Sequence, residues 1–471
     1  MKPNIFFIIS HDSGQFFEPY GYRVSTPALD RLADEGVLFD QYYATAPQCS
    51  PSRGSILTGL YPHNNGLMGL AHLGFAIDSK HPTIPKVLST NGYHSVLVGL
   101  SHETIGTPPP VADRVFTSGV ELGYDEYLPV DGDRSPAVID QAINRLDVFL
   151  QDTDQAQPLY MNIGLFETHL PYDEYAPEAD NPKDVEIPEG LPNDQATRSD
   201  TALFTGSVHV LDESLGRFYA YLADKGLLDN SIVIFTNDHG APFPGYKGTL
   251  TKEGLGTTLI IRMPKRSDLA GKRSHALLVN IDLFPTLLDL VHIPIPSNLD
   301  GQSFAGIFQN QFQDVPGREY FFTELTWHDA YHPMRGIRTP HYSFVKNFAD
   351  GPKVYMPVDI HLTQTGAEMR SKFYVPNEPE ELYDLSTDPF EEHNIVHNPA
   401  YQTIYHGLRR RLHQWMIETD DPLLHGPVSG TGSRRWQDEI ASGRAYPGRE
   451  QFYIQHPDYP KVPFTVDWGN D

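Results

Sequence analysis

Four short apolar runs, separated by stretches of helical patterning, constrain the fold of this chain more than any other feature. Residues 4–10 (NIFFIIS), 93–99 (YHSVLVG), 159–165 (LYMNIGL) and 231–236 (SIVIFT) are largely apolar instead of alternating. That is the pattern of strands covered on both faces, as in parallel sheets. Residues 25–32 (STPALDRL) set a hydroxyl residue before a proline at the first helical position, with leucines three apart. Residues 208–225 and 282–291 also read as helices. Strands and helices in alternation predict an α/β fold, a large, mostly parallel sheet sandwiched by helices.

The pattern changes after about Pro316. Residues 320–324, 336–338, 341–347 and 381–385 read as short antiparallel strands, and residues 400–418 as a helix with Leu408, Leu412 and Met416 four apart. Two domains are therefore expected: a larger one over residues 1–316, and a smaller α+β one over 317–471 with an antiparallel sheet. The tail from Gly426, rich in Gly, Pro and Arg, is expected to wrap the surface. Formal charge is −26, from 35 Lys and Arg against 61 Asp and Glu. A field of that sign disfavours nucleic acid or an anionic membrane as partner. No apolar run approaches the roughly 18 residues that a membrane span needs. Met1, Lys2 and Pro3 run straight into the first strand with no secretory leader, so a cytoplasmic location is expected. A periplasmic or secreted location would follow only if a leader had been removed.

Residues 47–63 (PQCSPSRGSILTGLYPH) hold the single cysteine, Cys49, which excludes an intramolecular disulfide. A lone cysteine meets proline at +2 and arginine at +4 by chance roughly once in a few hundred sequences. Residues 50–58 read as a helix closed by Gly59, which places Cys49 at its N-terminus. Free N–H groups and the helix dipole favour an anion there. Arg53, about one turn on, is positioned to stabilise an oxyanion.

This stretch closely resembles the signature of the type I sulfatases, formylglycine-dependent enzymes of the alkaline phosphatase superfamily. The resemblance implies that a maturation enzyme oxidises Cys49 to formylglycine. One hydroxyl of the hydrated aldehyde then attacks sulfur, and the other expels sulfate. It also implies a divalent metal, calcium in the first instance, with manganese or zinc as alternatives. Its ligands would come from Asp12 in residues 10–14 (SHDSG), from Asp238 and His239 in residues 236–240 (TNDHG), and from Cys49. Both segments follow buried strands, where open α/β sheets place their ligands. His11 stands where the family carries an aspartate, and is expected either to ligate the metal or to support a ligand.

The family holds sulfate with a Lys-x-His pair, a second histidine and a later lysine. His102, His169 and Lys247 match three of these positions, but Leu100 occupies that of the first lysine. Arg53 or Lys252 is expected to compensate, and His102 and His169 are the candidates for protonating the leaving group.

Nearly the whole chain resembles the family, most closely sulfamidases (heparan N-sulfatases) and related polysaccharide sulfatases. Residues 63–70 (HNNGLMGL), 241–244 (APFP), 333–335 (PMR), 381–384 (ELYD) and 418–422 (ETDDP) carry that likeness. The implied partner is a sulfated saccharide, N- or O-sulfated, and a homodimer is implied by the same resemblance. His72, Trp327, His328, His332 and Arg335 are candidates to line a sugar pocket, or else to pack between domains. Two other readings stand beside this one. The first is a phosphonate monoester or phosphodiester hydrolase of the superfamily, which the Asp238–His239 pair fits. The second is a catalytically weak sulfoglycan-binding homologue.

Overall fold

The structure is a computed structural model that describes residues 2–71, 75–104, 119–151, 157–308, 312 and 317–428. The expected tail beyond Gly426 lies largely outside the described residues. In chain order the strands are β1 (Asn4–Ser10), β2 (Val37–Phe39), β3 (Tyr42–Tyr43), β4 (His94–Gly99), β5 (Glu126–Leu128), β6 (Leu159–Gly164), β7 (Ser231–Asn237) and β8 (Leu259–Arg262). There follow β9 (Lys272–Ser274), β10 (Leu278–Val279), β11 (Phe321–Trp327), β12 (Tyr331–Arg338), β13 (Tyr342–Asn347) and β14 (Glu380–Asp384).

Eight of them form one sheet in the order β5-β4-β6-β1-β7-β8-β2-β9. From β5 to β7 every pairing is parallel, and only β8 runs against its neighbours. The expected mostly parallel sheet is therefore present. Residues of β1 divide between two cores: Phe6 and Ile8 face one, Ile5, Phe7 and Ile9 the other. The first core is covered by helices Ser135–Gln151 and Gln195–Asp224, the second by helices Cys49–Thr58, Ile84–Thr90 and Leu283–Leu290. A sheet buried on both faces explains why these strands are apolar without alternation.

Helix Gln195–Asp224 starts well before the expected residue 208, capped by Asp194 accepting from Thr197 N at 2.9 Å. In helix Pro27–Glu35 the expected hydroxyl cap is not made. Thr26 Oγ1 accepts from Glu18 N instead, while the Asp212 carboxylate takes the N–H groups of Ala28 and Leu29 at 3.0 Å each. The helix start is thus satisfied from a distant element.

Strands β11 to β14 form the antiparallel sheet, in sequence order. Helix Gln402–Glu418 packs Leu412, Trp415 and Met416 onto it. The same core takes Tyr43, Tyr61, Leu250 and Val279 from the first three hundred residues, so the two sheets meet across a continuous apolar contact.

The order β4-β6-β1-β7 has one consequence for chemistry. These four strands are immediate neighbours and parallel, so their carboxyl ends lie side by side along one edge. The segments leaving them carry His102, His169, His11 with Asp12, and Asp238 with His239, respectively.

Candidate active site

Helix Cys49–Thr58 begins at the cysteine and is closed by Gly59 in the left-handed region, φ 66°. All ten of its residues are buried. Small side chains let it lie against the strand ends, and Ser52 Oγ donates to the Asp238 carbonyl. Arg53 Nε donates to Asp238 Oδ2 at 2.9 Å and Nη2 to the Ser10 carbonyl at 3.0 Å. Its Nη1 is buried with no hydrogen-bond partner among the described residues. Burial works against the guanidinium charge, but Asp238 and Glu103 outweigh it and raise the pKa. A fixed, charged donor left unpaired beside a helix N-terminus suits an anion.

His11, Asp12, Cys49, Asp238 and His239 form one buried cluster, each offering a ligand atom within 4.8 Å of the others. His11 Nδ1 is 2.7 Å from Asp12 Oδ1 and 3.3 Å from Asp238 Oδ2. His239 Nε2 is 3.0 Å from Asp12 Oδ1 and 3.4 Å from Cys49 Sγ. Cys49 Sγ lies 3.9 Å from Asp12 Oδ1. Two buried carboxylates, each with an oxygen turned to the cluster besides the one paired with Lys247 or Arg53, offer a cation two hard ligands. Spacings of about 3 Å are also those of neighbouring donors around an ion bound at about 2.1 Å. The residues therefore fit a divalent metal, and His11 stands among the donors rather than behind them.

Burial brings the His11 imidazole down to about 4, so it is a neutral donor at ordinary pH. Burial alone would raise Asp12, but Lys247, His169 and His11 hold its carboxyl well below the usual range. The Cys49 thiol is pushed well up by burial, further than Lys247 can offset. As a thiol it would be a poor nucleophile here.

Lys247 sits on the loop after β7, tied down by Gly248 N donating to the Pro47 carbonyl at 3.0 Å. Its Nζ donates to Asp12 Oδ2 at 2.6 Å and lies 3.2 Å from both His169 Nε2 and Asp359 Oδ2. Those carboxylates hold the ammonium charged despite burial. His169 Nδ1 is 2.5 Å from the Leu170 carbonyl, so Nδ1 carries the proton and Nε2 accepts from Lys247. Burial and Lys247 lower its pKa. His102 Nδ1 lies 3.2 Å from His11 Nε2. Leu100 is buried, with its N–H on the Gly164 carbonyl at 2.9 Å, so no cation comes from that position. A Cβ on Gly164 would meet the Leu100 carbonyl at 1.9 Å, which fixes glycine at this crossing.

The structure thus brings His11, Asp12, Cys49, Arg53, His102, His169, Asp238, His239 and Lys247 to one place. The expected sugar-pocket residues do not join them as a group. His72 lies outside the described residues. Arg335 is fully buried in β12, with Asp421 at 2.6 and 3.1 Å and Glu324 at 3.3 Å. Its remaining donors go to the Leu325 and Met334 carbonyls and Thr326 Oγ1, so they are committed within the smaller sheet and the segment that follows helix Gln402–Glu418. His332 is buried against the Tyr355 ring, centroids 5.0 Å apart, with neither ring nitrogen hydrogen-bonded among the described residues. Trp327 does approach the site: it packs with Cys49, and its carbonyl accepts from the Gln48 side chain.

Asp359, absent from the expected set, comes from the short helix Val358–His361 and faces both Lys247 and His169. Its segment has no signal in the sequence, being an ordinary VDIH between loops.

Residues 3–293 match the family model described as Sulfatase, and residues 246–371 the one described as N-sulphoglucosamine sulphohydrolase, C-terminal. Human N-sulphoglucosamine sulphohydrolase is 27% identical over 485 residues, covering 90% of this chain and 92% of the relative. An ulvan-active sulfatase of Formosa agariphila is 30% identical over 443 residues, covering 91% and 82%. Among solved structures, a protein in complex with its substrate D-glucosamine-2-N,6-O-disulfate superposes with a TM-score of 0.67 at 22% identity, covering 91% of this chain and 99% of that one.

Proposed function

This chain belongs to the sulfatase family, sulfuric ester hydrolases of the alkaline phosphatase superfamily, and from that premise we propose that it removes sulfate, as an ester or N-sulfate, from a sulfated carbohydrate. The nucleophile we assign is formylglycine made from Cys49 by a maturation enzyme. One observation carries the reading. Cys49 opens a buried helix, 3.4 Å from His239 and 3.9 Å from Asp12, with the unpaired Nη1 of Arg53 in the same helix. The carbohydrate substrate rests on the likeness to glycan-acting sulfatases.

His11 Nδ1, Asp12, Asp238 and His239 Nε2 would hold the metal. When bound, it supplies Lewis-acid polarisation of a sulfate oxygen and lowers the pKa of the nucleophilic hydroxyl. Calcium is the family expectation, but two imidazole nitrogens facing the carboxylates suit manganese or zinc better. Formylglycine supplies one hydroxyl for attack and a second that later releases sulfate as the aldehyde reforms.

The remaining residues bind, orient and move protons. Arg53 Nη1 and the first N–H groups of helix Cys49–Thr58 fix the oxyanion. Lys247 turns a donor to a sulfate oxygen, giving up its contact with His169 Nε2. His169, whose Nε2 is thus freed to take up a proton such as the one the nucleophilic hydroxyl gives up, and His102 flank the place of the leaving group, and either, once protonated, can deliver the proton that departs with the sugar oxygen or nitrogen.

Mass spectrometry of the Cys49 peptide tests the nucleophile, which requires sulfur to be replaced by aldehyde oxygen. Rates on 4-nitrophenyl sulfate and on a phenyl phosphonate ester test the reaction. A strong preference for the phosphonate would overturn the sulfatase reading in favour of the hydrolase that Asp238–His239 also fits. A converted Cys49 without turnover of any sulfate would favour a binding homologue.

A further inference from the structure

We propose that Asp359 selects the sugar: it accepts hydrogen bonds from hydroxyl or amino donors next to the scissile sulfate and disfavours a sugar with a carboxylate there. This rests on the sulfatase reading above and deepens it.

A carboxylate is out of place in an anion pocket. Asp359 Oδ2 lies 3.2 Å from Lys247 Nζ, so it competes with sulfate for that ammonium and offsets its charge. Leu100 already withholds one cation from the β4 side. Asp359 is not one of the five-residue cluster; it stands with Asp12 and His169 in a second group of close ligand atoms, where Lys247 Nζ, 2.6 Å from Asp12 and 3.2 Å from Asp359, already supplies the cation. A carboxylate that offsets the sulfate-binding cation from outside the five-residue cluster is placed to act on another part of the substrate.

Its position says which part. The side chains of Asp12 and Lys247 are 0% and 1% exposed, whereas Asp359 is 24% exposed. It therefore stands where the buried pocket meets solvent, on the side that His169 occupies at 3.6 Å. A sugar whose sulfate reaches the Cys49 helix must place its ring substituents here.

Asp359 is also held in place. Its Oδ1 accepts from Ile360 N at 2.9 Å, and the preceding Val358 N donates to Asp329 Oδ2 at 2.8 Å. That leaves Oδ2 to face the pocket, with acceptor capacity beyond its lysine contact. Lys247 and His169 keep the carboxyl ionised against the effect of burial, and Asp329, 10% exposed, adds a second negative charge to the same rim. Ring hydroxyls or an amine satisfy such a rim, and a uronate does not.

The test compares kcat/KM on 4-nitrophenyl sulfate, which lacks ring donors, with kcat/KM on glucosamine N-sulfate and glucosamine 6-sulfate. Charge-assisted hydrogen bonds of this kind correspond to about 10- to 100-fold, so Asp359→Asn should lower the sugar-over-aryl ratio by that factor. Asp359→Glu, which keeps the charge but displaces it, should lower the ratio too. The unaltered enzyme should also prefer either glucosamine sulfate over a 2-sulfated glucuronate. A ratio within about 3-fold of the unaltered enzyme in both variants would overturn the proposal, since Asp359 would then act only through Lys247. So would a preference of the unaltered enzyme for the uronate, even if neither variant folds. Turnover of aryl sulfate with an unmoved ratio sinks this inference alone. No turnover of any sulfate by the converted enzyme sinks the sulfatase reading.

Discussion

Arg53→Lys separates the structural from the catalytic use of one side chain. Arg53 serves three directions at once: Asp238 through Nε, the Ser10 carbonyl through Nη2, and the anion place through Nη1. A lysine can answer only one of them well, and the charge of Asp238 makes that its choice. The ion pair is then preserved, which avoids the roughly 3–5 kcal/mol lost when a buried carboxylate is stripped of its partner. The Ser10 carbonyl loses its donor, a cost of about 1–3 kcal/mol in unfolding free energy. The anion loses a fixed donor, and kcat should fall about 10²- to 10³-fold. The measurements are kcat on 4-nitrophenyl sulfate, normalised to formylglycine content by mass spectrometry, and urea unfolding. Normalisation matters because Arg53 lies within the stretch that, on the proposed reading, directs conversion of Cys49. Arg53→Ala should lose more stability than Arg53→Lys and at least as much activity. A lysine variant that loses stability as stated yet keeps kcat within about 3-fold would refute the role given to Nη1.

Cys49→Ser should fold and bind metal but turn over at least about 10³-fold more slowly, because a lone hydroxyl has no geminal partner to expel sulfate; repeated turnover in a single-ester assay would contradict this. Metal analysis of the purified protein should find manganese or zinc above calcium, and His11→Asp should shift competition binding toward calcium, the reverse order counting against His11 as a ligand. Lys247→Met removes the ammonium between Asp12 and Asp359 and should lower kcat/KM about 10²-fold or more, read on 4-nitrophenyl sulfate with metal content checked. His63 gives the pH dependence of stability. Burial alone would lower its pKa, but Glu324, with an oxygen 3.0 Å away, raises it above the ordinary value. A raised folded-state pKa means the stabilisation is complete below about pH 6.5 and lost as pH rises through the folded value. Unfolding free energy should therefore decline above about pH 6.5, and His63→Gln should flatten that slope.

What the sequence made legible follows the range of the interactions concerned. The four central strands β1, β4, β6 and β7 and the Cys49 helix are set by local patterning and were readable to within a residue or two, whereas the short strands β2, β5, β8 and β9 of the same sheet gave no such pattern. The order β4-β6-β1-β7 was not, because strand pairing joins residues far apart in the chain, such as His94 with Leu159, Ile5 with Tyr160 and Asn4 with Ser231. Yet that order is what sets His102, His169, Asp12 and Asp238 along one edge. Arg335 shows the same limit from the other side: its partner Asp421 stands 86 positions away, so an arginine committed to a buried ion pair looks identical in sequence to one awaiting a ligand. Helix Gln195–Asp224 was read short because its first turns bury hydroxyl residues (Thr197, Thr201, Thr205 and Ser207) in place of an apolar stripe, and only the Asp194 cap marks the true start.

The departures from the family pattern make sense together rather than singly. His11 replaces a carboxylate by a neutral donor, which leaves the cluster one negative charge poorer. Leu100 withholds a cation from the sulfate side. The two changes offset one another in charge: a metal held by these residues would keep more of its positive charge and would take over part of the work of the missing lysine. Restoring only one of them should then harm more than help. Leu100→Lys alone would set an ammonium into a buried place beside a metal already less neutralised than in the family, and should weaken metal binding. Leu100→Lys combined with His11→Asp should recover it. Metal titrations of the two single variants and the double variant measure that coupling as a double-mutant cycle. Additive effects would mean that the two positions drifted independently and that the metal does not stand in for the lysine.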